Sequence, residues 1–140
     1  MTPSGQENPV HLDHIAAPDG VAPGRGYTQV VTGRGRLVAV SGQIAQDADG
    51  ALVGEGDVAA QARQVFANLG SCLRAAGATF ADVVKLTVFV LDAASLPAVR
   101  AARDEVVDTA RPPASSAVVV AGLFAPSYLL EIEALAVVAD

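Results

Sequence analysis

The chain has 140 residues, a formal charge of −6, one lysine (Lys85) and eight scattered arginines. A surface that binds nucleic acid needs clustered positive charge, and a membrane helix needs about 20 consecutive apolar residues; the chain offers neither, so nucleic acid and membrane are both excluded as expected partners. Hydrophobic residues make up 51% of the sequence, mostly Ala and Val with no Trp, which suits one domain built from a sheet with close-packed helices.

The opening "MTPSGQENPV" has neither a basic region nor an apolar segment and does not read as a secretory signal. Four of the eight prolines fall before residue 24. Residues 1–22 are therefore read as a flexible, irregular arm and 23–140 as a single domain. The lone cysteine, Cys72, has no internal disulfide partner, which fits a cytoplasmic protein.

"YTQVV" (27–31) and "RLVAVSGQI" (36–44) predict two strands joined by a Gly-containing turn. From Val58 to Ala76 the apolar period becomes helical, with Asp57 as N-cap and Gly77 as the stop. "DVVKLTVFVL" (82–91) predicts a strand buried on both faces. A second helix is expected to begin near Ser95 with Pro97 in its first turn. Val99, Ala102, Val106 and Thr109 would form its inner stripe, with Arg100, Arg103, Asp104 and Asp108 outward. Strands at 114–123 and 128–138 complete an α+β order, β-β-α-β-α-β-β. That order gives one sheet with two helices on a single face. The opposite face would then expose apolar side chains and need a cover.

Candidate chemistry concentrates on the last strand. Alternation puts Glu131 and Glu133 on one side with Leu135 and Val137, and Leu130, Ile132 and Ala134 on the other. The two carboxylates read either as a solvated edge or as acid–base groups held in a cleft. At Ser41-Gly42-Gln43, the glycine lets a ligand approach the backbone, and the same residues also suit a plain strand end. Tyr27 either caps a pocket or packs. Ser115 and Ser116 stand at the mouth of the 114–123 strand. Cys72 reads as a small buried hydrophobe, and His11 and His14 with Asp13 make too thin a set for a metal; no metal site is expected. "GRGR" (33–36) lacks the helix that a phosphate loop would open.

The stretches "GYTQVV", "VAVSGQI", "DVAAQARQVFANL", "AAGATFADVVKLTVFVLD" and "RPPASSAVVVAGL…LLEIEALAV" occur in the order and spacing of one family. Over about Pro23 to Val138 the chain resembles the Rid family (YjgF, also called L-PSP endoribonuclease or translation inhibitor). The resemblance implies a chorismate-mutase-like fold and a homotrimer whose sheets pack as a barrel, with clefts between subunits. It implies hydrolysis of enamines and 2-imino acids to 2-keto acids and ammonia, without a cofactor. Glu131 matches the water-activating carboxylate, and Tyr27, Ser41 and Gly42 match pocket-lining positions. Deaminating members carry, after Pro-Ala, an arginine that grips the substrate carboxylate, and here that position is Ser115. A serine gives one neutral hydrogen bond where arginine gives a charged fork. The expectations are a hydrolase of altered specificity or, alternatively, a trimeric metabolite-binding protein without turnover, with ribonuclease activity disfavoured by the acidic charge. Arg25 and Arg111, near pocket segments in sequence, are candidates to restore the missing charge.

Overall fold

The computed structural model describes residues 11–140. Helix α1 covers Val58–Ala75, as its periodicity predicts, and the Asp57 carboxylate accepts a hydrogen bond from the Ala60 N–H at 3.0 Å. Its apolar stripe, including Val65, Phe66, Leu69 and Leu73, is buried, and Gly77 (φ +75°) ends it in a conformation that favours glycine.

Four strands form the main sheet: β3 (Arg36–Gln43), β4 (Val83–Val90), β5 (Ala114–Val119) and β6 (Leu130–Val138), in the order β3-β6-β4-β5. The β6 strand pairs antiparallel with both β3 and β4, and β5 pairs parallel with β4. On one face Val38, Val40, Leu86, Val88, Val90, and the β6 residues Leu130, Ile132, Ala134 and Ala136 join α1 in a continuous core. Helix α2 (Leu96–Asp104) lies against α1 and adds Val99 and Ala102 to that core. Both helices thus cover the same face, as the sequence implies. The other face carries Leu37 (66% exposed), Val118 (45%) and Leu135 (39%) in the open.

The structure departs from the sequence reading in several details. The first strand of the 27–44 region is β2 at Val30–Gly33, not 27–31, and it does not pair with β3. It pairs instead with β1, Leu12–Ile15, which lies inside the stretch read as an irregular arm. Gly35 (φ +141°), packed against the Val138 carbonyl, swings the chain out of this two-stranded ribbon into the main sheet. The α2 helix ends at Asp104, short of the expected stripe: Val106 is 38% exposed and Thr109 lies beyond the helix. Its buried face is Val99, Ala102 and Arg103, an i, i+3, i+4 set, so Arg103 points inward rather than out. The β5 strand stops at Val119 and is an exposed edge. The β4 strand is fully buried only on its helix-facing side, since Lys85, Thr87 and Phe89 are half-buried on the open face. Residues 1–10 of the expected arm lie outside the described residues.

Candidate functional site

The register fixes which side each β6 residue takes. Glu131 pairs with Phe89 and Glu133 with Thr87, so both carboxylates stand on the open face, while Leu130 and Ile132 are fully buried behind them. Glu133 is exposed and Glu131 half-buried. The difference comes from β3. Its register shifts between Val40 and Gln43, placing Gly42 in a bulge directly against the Glu131 carboxylate. A methyl group at residue 42 would overlap that carboxylate. Ser41 is exposed beside it, and its carbonyl accepts from the Gln43 amide at 3.1 Å. Glu131, Gly42 and Ser41 thus stand together on the open face.

Tyr27 and Ser115 belong elsewhere. Ser115 pairs with Leu86, whose side chain faces the helices, so Ser115 points to the side of the sheet opposite Glu131. It lines a cleft of about 420 Å³ between the β5 edge and α2, walled by Phe66, Val88, Leu96 and Val99. Tyr27 also lines it. Its position is set by its neighbour: buried Thr28 donates its N–H to the Pro113 carbonyl at 3.2 Å and its hydroxyl to the Pro112 carbonyl. The two prolines before Ser115 therefore supply the acceptors that hold the residue next to Tyr27. Ser116 turns the other way and accepts from Lys85 Nζ at 2.7 Å, a structural contact on the open face.

Neither arginine expected to compensate for Ser115 lines this cleft. Arg111 belongs to the far side of the Tyr27 segment, where its Nη2 donates to the Leu12 carbonyl (3.3 Å) and to His14 Nδ1 (3.4 Å). Burial, then the Arg111 guanidinium, lower the His14 pKa below its ordinary value, since a proton there would face a fixed positive charge. Arg25 contributes only its carbonyl, which accepts from Arg100 at 2.7 Å. The cleft's cations are Arg100 and Arg103 of α2. The sequence reading set both outward; their i, i+3 spacing was visible, but not the β5 edge that α2 lies beside. His11 Nε2 lies 2.7 Å from the Val137 carbonyl and 3.1 Å from Asp82 Oδ1, so the two histidines serve separate partners. Cys72 is half-buried against the core.

The fold is that of a small α+β protein with the Glu131 carboxylate on an open sheet face and a cleft lined by two arginines at a sheet edge. Comparison with known proteins gives the lineage. The sequence model described as "Endoribonuclease L-PSP" matches residues 16–138. A RutC family protein of Synechocystis is 42% identical over 122 residues, covering 86% of this chain and 90% of that protein. A 2-iminobutanoate/2-iminopropanoate deaminase of Salmonella typhimurium is 41% identical over 123 residues, covering 86% and 91%. Among solved structures, a Rid protein of unknown function from Yersinia pestis superposes with a TM-score of 0.79 at 36% identity, covering 91% of this chain and 99% of that one. The chain belongs to the Rid (YjgF, L-PSP endoribonuclease) family. No helix among the described residues is long and apolar enough to cross a membrane.

Proposed function

We propose that the protein is a homotrimeric hydrolase of small imines or enamines, with Glu131 as the acid–base group. The observation that carries this reading is the Glu131 carboxylate held against side-chain-free Gly42 on an otherwise open sheet face. In the hydrolysis, Glu131 takes a proton from water as its oxygen bonds to the imine carbon. Glu131 returns that proton to the imine nitrogen to give a neutral carbinolamine, then takes the hydroxyl proton and passes it to the amine nitrogen, so that the C=O bond forms, the C–N bond breaks and ammonia leaves. One imine and one water are consumed, and one carbonyl compound and one ammonia are formed. An enamine enters the same route once its carbon is protonated to the imine.

Glu131 and Ser115 face opposite ways in one chain, so a substrate touching both must lie between two copies. An open face lined by Leu37, Val118 and Leu135 and an edge cleft are complementary parts for such an assembly. The test is ammonia release from an imine generated in situ by an amino-acid oxidase. The wild type should exceed the buffer rate, and Glu131→Gln should lose about two to four decades of that excess. Equal rates for wild type, Glu131→Gln and buffer would refute the hydrolase. The second reading, a metabolite-binding protein without turnover, draws on Ser115, where a neutral hydroxyl stands in place of the expected arginine; ligand-dependent melting shifts with no ammonia release would favour it. The ribonuclease activity in the family's name gains no support from a chain of charge −6 with a single lysine.

A further inference from the structure

We infer that Asn68, on helix α1 behind the sheet, is a positioning residue that holds the β3 bulge against the Glu131 carboxylate. This rests on the proposed hydrolase, in which Glu131 is the acid–base group, and adds what fixes the seat of that group.

The bulge is one extra residue caught between two anchors. From Val40 to Gln43 the β3 strand advances three residues, while its partners on β6, Ala134 to Ile132, advance two. Such a surplus can slip along a strand unless the chain is fixed on both sides of it. Before the bulge, Val38 and Val40 are buried in the core shared with α1. After it, the chain leaves the sheet through a tight elbow. There the Gln46 N–H donates to the Ile44 carbonyl at 2.8 Å, around fully buried Ala45.

Asn68 closes this elbow. Its side-chain amide donates to the Ile44 carbonyl at 3.2 Å and to the Gln46 carbonyl at 2.9 Å. An asparagine amide carries two N–H donors, so this pair uses both. Its Oδ1 accepts from the Gln64 amide at 2.8 Å, and that amide also donates to the Gln46 carbonyl at 3.2 Å. Gln46 in turn donates its side-chain amide to the hydroxyl of buried Tyr128 at 3.0 Å, two residues before β6 begins.

Gln64 and Asn68 are one helical turn apart on α1 and half-buried. Among the described residues, every side-chain hydrogen bond they make goes to the elbow or to each other. Without the Asn68 clamp the elbow no longer fixes residues 41–43, and a displaced Gly42 unseats the carboxylate that lies against it. No clamp residue lines the Ser115 cleft, so the clamp acts on turnover rather than on what that cleft binds.

Asn68→Leu keeps the volume and removes both donors, and Leu73→Val trims the core further along the same helix. In Asn68→Leu the kcat for ammonia release should fall about ten- to a hundredfold, with KM changed by less than about threefold. Asn68→Asp, of the same shape but without donors, should do likewise. Leu73→Val should lower the melting temperature and leave kcat within about twofold of wild type. In amide NMR spectra the Gly42 peak should shift or broaden in Asn68→Leu and stay in place in Leu73→Val. An unmoved Gly42 peak, or an equal loss of kcat in Leu73→Val, would overturn the inference. A displaced Gly42 peak with no ammonia release from wild type would sink the hydrolase and keep the clamp. Ammonia release that Glu131→Gln abolishes and Asn68→Leu leaves unchanged would do the reverse.

Discussion

The Glu131 carboxylate occupies the space that any side chain at residue 42 would take. Gly42 does not adopt a positive φ, so replacing it strains no backbone and acts only through that overlap. Gly42→Ala is expected to lower the rate of ammonia release by about tenfold or more while costing about 1–3 kcal/mol of stability from overpacking. Parallel rate and urea-denaturation measurements separate the two effects, and an unchanged rate would mean that the carboxylate's seat is not catalytic. At this scale the orientation of Glu131 was legible in the sequence, because strand alternation alone sets it beside Glu133 and away from Ile132. The placement of Arg100 and Arg103 along the cleft was not legible. Helical periodicity ranks residues by hydrophobicity, and a buried arginine that lines a cleft with charge looks, in one dimension, like any solvated arginine.

Among the elements, α1 and β6 are coupled by one side chain. Gln61 is fully buried and donates its amide to the Gly54 and Ser127 carbonyls at 3.1 and 2.9 Å, while its Oε1 accepts from the Leu129 N–H at 2.9 Å. These bonds pin the loop before α1 and the residues leading into β6 to the same helix face, and so set where Glu131 begins its strand. Gln61→Leu keeps the volume but removes these three bonds, leaving the Ser127 carbonyl and the half-buried Leu129 N–H without their Gln61 partner while the Gly54 carbonyl keeps the Asp57 N–H, and a loss of about 1–3 kcal/mol in urea unfolding is expected. A loss under about 0.5 kcal/mol would show that water or relaxation replaces all three bonds. The α1 helix was readable to within a residue because its stripe, Asp57 cap and Gly77 stop agree. The β1–β2 ribbon was not. Four-residue strands carry too little alternation to register, and their pairing joins Leu12 to Gly33 across the whole proline-rich segment. The α2 helix was extended too far because Val106 continues the apolar spacing after the hydrogen-bonded helix has ended.

For the whole molecule, the sheet's two faces have different fates. One is sealed by α1 and α2, and the other leaves Leu37, Val118 and Leu135 in solvent around Glu131. The need for a cover was readable from the helix count alone. That Ser115 and Glu131 leave the sheet on opposite sides follows only from the register. The account predicts a closed oligomer in which each site takes its carboxylate from one copy and its Ser115 cleft from the next. Mixed oligomers test this most directly. Glu131→Gln subunits and Ser115→Trp subunits, whose indole fills the cleft, are each expected to be impaired alone; they are unfolded together in equal amounts, refolded and assayed for ammonia release from a small imine. Random assembly into a cyclic oligomer unites two intact halves at roughly one site in four, so recovery of about a quarter of the wild-type rate is predicted. A mixture no more active than the average of its two parents would contradict a site shared between subunits.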